Sequence, residues 1–453
     1  MPEQALVRER TAWLLASHRR CAGFTTVSGF ARRARGPRWP RGVHRSRVHA
    51  WEGGRSTPHI DVVRLYESAS GHDLLAALDI AHRAASGAIG GPVIRRPAVS
   101  GQRRRRLILD LVEKADGGDA MTGGDWDELT GMISTDPHIC LRDRDAGMIT
   151  HRLVVELCAA EGDGWARRQE ALARLIGHPA LGRVAIDLCD QLARDRYFAV
   201  GGDVLLGLDG SQHPDATAVV LRHLRTPVST EVEAGARVVA AQKIRLGHFR
   251  GATSRLLAQD HASPPCDSPT GPDRTAYAER LAHAAAADVD IPTGAATGLV
   301  IAMLCDPDAT ARYVAIRFLA ASPLRAPLAR RIGDELTTPR TSVDGARLVS
   351  ALAALGENRR TVERLACAHD VPAQVRDTAV RSLGHMPGDS PSSLWRHLLA
   401  RRVGDGALIC ALGMRHQHAL LREIVADPAW SPGARAAVRW WLRHGPADGP
   451  LDR

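Results

Sequence analysis

With 453 residues, 44% of them hydrophobic, the chain has room for two or more domains, each with its own core. Its net charge of +10 is unevenly placed: residues 1–106 hold 20 arginines against seven acidic residues, and the remainder, with 40 basic and 43 acidic residues, is net −3. Eight cysteines (21, 140, 158, 189, 266, 305, 367 and 410), none in a C-x-x-C pair, exclude a disulfide framework and a cysteine-rich zinc site.

The basic excess points to a polyanion partner for the N-terminal end alone. Only Lys114 and Lys243 are lysines, so arginine abundance by itself carries little weight. The cysteines read as small core residues in a reducing compartment. Aromatic residues make up 4% of the chain, and alanine, leucine and valine dominate, which favours helices packed through small side chains. The longest uncharged apolar run, Ile291 to Cys305, has 15 residues and contains Pro292, too short for a bilayer. No secretory signal opens the chain, so a cytoplasmic protein without a membrane partner is expected.

In chain order, a first helix is predicted over Gln4–Arg20, with Val7, Thr11, Leu14, Leu15 and His18 inward. Thr26 can cap a second helix carrying Val27, Phe30, Ala31 and Ala34, in which Gly29 costs about 1 kcal/mol relative to alanine. A third helix spans His44–Glu52. Val48 and Trp51, three apart, share its inner face, and Val43 anchors its start. Arg45, Ser46, Arg47 and His49 then fall on the opposite face. Gly53 and Gly54 end it, and Pro58 blocks continuation. Two more helices follow: Ile60–Ala69, with Val62, Leu65, Tyr66 and Ala69 at i, i+3, i+4 and i+7, and His72–Arg83, with Leu74, Leu75 and Leu78.

The outer face of the third helix suits a major groove, because arginine grips guanine O6 and N7 bidentately and serine tolerates several base edges. This stretch resembles the lambda-repressor-like (Xre-type) helix-turn-helix family. The matching elements are Gly42-Val43, Val48, Trp51-Glu52, Gly54 and Pro58, with Thr26 and Phe30-Ala31 upstream, over roughly residues 4–80. The resemblance implies base contacts from Arg45 and Ser46, with Arg47 and His49 beside them; Thr26, Arg38, Arg41, His44 and Arg55 are the candidate backbone contacts. It also implies Trp51 in the core and Glu52 paired with Arg19 or Arg20, and a homodimer on a two-fold related site in double-stranded DNA. Three departures stand out: Val27 replaces a phosphate-contacting glutamine, His44 replaces a Ser or Thr cap, and the turn Arg35–Val43 is long. That turn, with Arg38 and Arg41 flanking Trp39, reads either as a basic loop for phosphate or minor groove or as a tolerated surface insertion.

Residues 84–106 read as a Gly/Pro/Arg-rich linker ending in Arg103–Arg106, which either add phosphate contacts or begin the next helix. From Leu107 to about residue 445 helix follows helix. A unit recurs at 235–247, 310–322, 345–356, 374–384 and 433–445, each with an arginine (237, 312, 347, 376, 435) among apolar residues at helical spacing. These units resemble HEAT-like repeats, whose stacked pairs share a continuous core; a Pro-rich break covers His261–Asp273 and a tail covers 446–453. An irregular α-helical domain is the alternative. The expected fold is therefore all-α: a small five-helix helix-turn-helix domain (1–83) followed by an α-solenoid of helical pairs.

No P-loop, H-E-x-x-H or G-x-S-x-G occurs, so no catalytic residue, metal or cofactor is expected. His416 and His418 cannot share a helix face and read as exposed. Trp440 and Trp441 diverge by about 100° on a helix, one toward a core and one toward a ligand pocket, a partner or the end of the last repeat. The leading expectation is a DNA-binding transcriptional regulator in the nucleoid, whose repeat region senses a ligand or binds a protein. The alternatives are a HEAT-like DNA-repair or architectural protein, disfavoured by the net −3 of residues 107–453, and a protein-interaction scaffold.

Overall fold

The computed structural model describes residues 2–36, 39–86, 94, 101–198, 200–249, 272–337, 342–403 and 405–445. Among them every regular element is a helix, so the all-α expectation holds. Five helices lead: α1 (Pro2–Cys21), α2 (Val27–Arg33), α3 (Arg45–Glu52), α4 (Ile60–Ser70) and α5 (Leu75–Ser86). Next come α6 (Gly101–Asp116), α7 (Gly123–Ser134), α8 (Asp143–Ala159), α9 (Gly162–Gly177), α10 (Gly182–Arg194), α11 (Gly201–Leu205), α12 (Pro214–Arg225) and α13 (Thr230–Arg245). Four more are α14 (Pro272–Ala287), α15 (Gly294–Cys305), α16 (Ala309–Ala320) and α17 (Arg325–Glu335). The last seven are α18 (Ser342–Leu355), α19 (Arg359–Cys367), α20 (Ala373–His385), α21 (Ser392–Arg401), α22 (Asp405–Met414), α23 (His418–Ala426) and α24 (Pro432–His444). No helix among the described residues is long and apolar enough to cross a membrane.

Two compact units emerge, and their boundaries differ from the linear division expected. One unit holds Met1–Ala88, Pro92–Val99 and Ser268–Thr337; the other holds Ile89–Gly91, Ser100–Asp267 and Thr338–Arg453. Thus 268–337 leaves the anticipated 107–445 repeat region and joins the N-terminal helices. The physical reason lies in α1 and α5. Residues 74–78, 80 and 81 are all buried, and a helix apolar on every side needs more than one partner; α16 supplies the second for α5. On α1, Trp13 Nε1 donates to Pro292 O (3.1 Å) and His18 Nε2 to Ala321 O (2.6 Å).

Local chemistry sets the helix starts in this unit. His44 and His59, like His213 in the other unit, accept the amide N–H two residues on through a ring nitrogen, a role usually taken by Ser, Thr, Asp or Asn. Glu67 Oε1 accepts from Leu74 N (2.8 Å) and Leu75 N (3.0 Å), which starts α5 at Leu75 rather than at His72.

In the second unit α18, α20, α22 and α24 pack one on the next, with α19 and α23 beside them. Four of the five recurring sequence units are the helices α13, α18, α20 and α24; the fifth, α16, lies in the first unit. Arg312 and Arg376 reach back to loop carbonyls at Asp306 (2.7 Å) and Ala368 (3.4 Å), the near-turn position expected of the repeat arginine. Arg168 is fully buried, yet it bonds Glu156 (3.3 Å) and Met121 O (2.7 Å), while Trp126 Nε1 donates to the same carboxylate at 2.6 Å.

Four further expectations are corrected. The 84–106 linker is shorter, because α5 runs to Ser86 and α6 starts at Gly101. Arg103–Arg106 lie in α6, in line with the reading that they begin the next helix, since arginine is a good helix former and no breaker follows Gly101 until Gly117. Of the described cysteines only 158, 189 and 410 are buried, and Cys21 and Cys140 are exposed. His416 and His418 are half-buried, with rings 6.1 Å apart. Trp440 and Trp441 are both buried, Trp440 packing tilted against Phe198 with ring centroids 4.7 Å apart. The Pro-rich break up to residue 271 and the 446–453 tail lie outside the described residues.

Candidate nucleic-acid interface

α3 is built to present one face and bury the other. Val43, Val48 and Trp51 are buried, whereas Arg41, His44, Arg45, Ser46, Arg47 and His49 are exposed. The buried face packs on α1 and α2. Thr26 caps α2, accepting Gly29 N at 3.1 Å, and a Cβ at Gly29 would stand 3.1 Å from the same oxygen. That close approach accounts for a glycine inside so short a helix. Thr26 stays exposed, and Val27 is half-buried.

The connection between α2 and α3 is folded tightly at both ends. Gly36 and Trp39 exchange backbone hydrogen bonds (2.9 and 3.4 Å), and the Trp39 ring rests on Trp51 at 5.8 Å. Gly42 takes φ +97°, and a Cβ there would lie 2.7 Å from Ala31 O. Only glycine accepts both conditions. Its neighbour Val43 then donates to Ala31 O (2.8 Å), tying the start of α3 to the end of α2. Pro37 and Arg38 lie outside the described residues; Arg41 is exposed just before α3.

The far end of α3 is pinned electrostatically. Arg19 donates bidentately to Glu52, Nε to Oε1 at 2.8 Å and Nη2 to Oε2 at 3.0 Å, and the Tyr66 hydroxyl donates to Oε1 at 2.9 Å. Arg19, not Arg20, is thus the partner of Glu52. Burial and the Glu52 carboxylate push the Tyr66 phenol well above its ordinary range, so it remains a donor. Arg55, exposed past the helix, donates to His49 O (3.4 Å). Arg45, Ser46, Arg47 and His49 are therefore all exposed on α3, with Arg45 and Arg47 about 200° apart around its axis, Arg41 and His44 exposed just before the helix and Arg55 just after it.

His44 does more than its sequence position suggested. Its Nδ1 accepts Ser46 N at 3.3 Å and lies 2.7 Å from Ser46 Oγ. Sequence reading noted His44 as an irregular cap and a backbone contact, but not as a partner of Ser46. The signal was the H-x-S spacing, which recurs as H-x-D at His59–Asp61 and His213–Asp215 with the same backbone bond.

The second unit contains a cavity of about 280 Å³, lined among others by Arg196, Phe198, Glu231, Arg381, Cys410 and Ser431. Arg381 pairs with Glu231 at 3.3 Å, and Phe198 carries Trp440 behind it. Sequence reasoning pointed to the tryptophan but missed the cavity, whose walls come from segments some two hundred residues apart. Comparison of the chain with protein-family models, with curated proteins and with solved structures found no match in any of the three.

Proposed function

We propose that the chain is a sequence-specific DNA-binding transcriptional regulator that docks α3 in the major groove as a lambda-repressor-like recognition helix. The observation that carries this reading is the division of α3: every residue expected to meet DNA from it is exposed, and its apolar face is anchored by Val48, Trp51 and the Arg19–Glu52–Tyr66 cluster. Arg45 reads guanine, Ser46 and Arg47 adjoining edges, and Arg41 and Arg55 contact phosphate. Binding is as a homodimer on a two-fold related site. The second unit, with helix pairs compatible with a HEAT-like stack, serves as the sensor; its 280 Å³ cavity offers a small effector both charge and an aromatic wall.

Selection of genomic fragments by the full-length protein, beside an Arg45→Ala/Ser46→Ala variant at near-physiological salt, tests this. A shared motif that the variant loses supports the regulator. Motif-free binding unaffected by the variant favours an architectural or repair role, and no binding with or without cell extract favours a scaffold.

A further inference from the structure

Two donors converge on one histidine nitrogen at the tip of α3, and this fixes which proton each group carries. The Ser46 backbone amide can only donate, so the His44 Nδ1 that it reaches at 3.3 Å is unprotonated. The 2.7 Å contact from Ser46 Oγ to the same nitrogen then has one sense: the hydroxyl donates its single proton to the ring. Two consequences follow. The neutral ring carries its proton on Nε2, at the exposed leading edge of α3. Ser46, also exposed, has spent its only side-chain proton inside the protein and presents lone pairs to solvent.

We infer that His44 is a positioning residue that turns Ser46 from a tolerant reader into an acceptor-only one, selective for the exocyclic amine of adenine or cytosine. This rests on the reading of α3 as the recognition helix. In the major groove, guanine offers N7 and O6 and thymine offers O4, all acceptors, whereas adenine N6 and cytosine N4 donate. A free serine hydroxyl rotates to pair with either kind. With its proton engaged by His44, Ser46 pairs only with donors and meets guanine or thymine lone pair to lone pair. His44 Nε2–H is left to serve a phosphate oxygen. The operator half-site therefore carries a guanine for Arg45 and, at the base pair faced by Ser46, an adenine or cytosine amine.

The experiment is quantitative selection from randomised duplex DNA by the full-length protein and its Ser46→Ala, His44→Ala, His44→Asp and double Ser46→Ala/His44→Ala variants. Ser46→Ala identifies the base pair that Ser46 reads, as the position whose preference it erases. At that position wild type should favour the amine-bearing base by about three- to tenfold, the worth of one neutral hydrogen bond. His44→Ala should erase the same preference, leaving the Arg45 guanine selected, and the double variant should lose no more than either single one. Loss of the helix cap in His44→Ala weakens binding to every sequence alike and does not move relative preference. His44→Asp keeps acceptors for both Ser46 donors, so it should retain the adenine or cytosine preference while its charge lowers overall affinity. The inference is overturned if His44→Ala keeps the wild-type preference, or if wild-type affinity is unchanged when the exocyclic amine (adenine N6 or cytosine N4) of the preferred base pair is replaced by hydrogen. Selection of no motif by wild type overturns the DNA reading, and this assignment with it.

Discussion

Removing the Glu52 carboxylate should be among the most damaging single changes in the first unit. Its two oxygens take the Arg19 guanidinium and the Tyr66 hydroxyl, and the side chains of Arg19 and Glu52 are only 5% and 8% exposed. In Glu52→Ala the guanidinium remains in place with its counter-charge gone, and Tyr66 loses its acceptor. Breaking a buried pair from one side costs about 3–5 kcal/mol, a large share of the roughly 5–15 kcal/mol that holds a domain folded. Replacing the whole cluster, as in Arg19→Met/Glu52→Leu/Tyr66→Phe, leaves no buried charge and should return to within about 1 kcal/mol of wild type or exceed it. Hydrogen exchange of α1, α3 and α4 amides in the full-length protein reads the difference directly. A loss of about 3 kcal/mol is a drop of roughly a hundredfold in protection. Protection in Glu52→Ala within about threefold of wild type, or a triple variant no better than the single one, would refute the account of α3 as electrostatically pinned.

Arg45→Ala should cost about 1–3 kcal/mol of base discrimination and relax one position, whereas Arg41→Ala should weaken all sequences alike and lower the salt slope by about one; competition binding at several salt concentrations separates them, and equal losses for both would reject the assigned roles. Burial holds His18 neutral, its pKa pushed from 6.5 down to about 4 against the opposing pull of the Ala321 carbonyl, and burial lowers His82 to about 4 as well. The native state then binds fewer protons than the unfolded chain, so stability present above pH 6.5 is lost as pH falls toward 4. His18→Gln keeps a donor for Ala321 O without titrating and should move acid unfolding of the first unit to lower pH, as followed by proteolysis; an unchanged midpoint would remove His18 from the account. At Gly413 a Cβ would stand 2.1 Å from a ring atom of Trp441, so Gly413→Ala should displace the indole and lower stability by about 1–3 kcal/mol; thermal unfolding with intact Trp fluorescence would show the site more yielding than its geometry indicates.

How far the sequence could be read depended on whether a feature is local. Both faces of α3 follow from a 3.6-residue period and two glycines, and burial of Val48 and Trp51 with exposure of Arg45 to Arg47 matches that pattern residue by residue. Choosing Arg19 over Arg20 needed the rotation of α1, which spacing constrains only to a side of the helix. His44 was legible as a cap but not as a lock on Ser46, because a hydroxyl's direction depends on a contact of 2.7 Å. The recurring arginine units located helices correctly, yet similar alanine-rich helices say nothing about which neighbour each one chooses. That is why the pairing of α16 with α5 could not be read from the repeat pattern.

The membership of 268–337 in the first unit bears on how the DNA-binding end has to be handled. α1 has partners in both parts of this unit: Leu14 and Leu15 are fully buried, and α1 packs on α3, α4 and α5, while Trp13 and His18 bond to carbonyls of the later segment. A fragment ending at residue 83 would strip Pro292 and Ala321 from those donors and uncover the side of α5 that meets α16. The sequence boundary of the resemblance and the boundary of the folded unit are therefore different. Apolar periodicity marks the first because it is written along one helix at a time; the second depends on a segment nearly two hundred residues downstream. Any measurement of α3 on DNA is physically meaningful only with 268–337 in place, since the helix that carries the Arg19 anchor is itself held from that side.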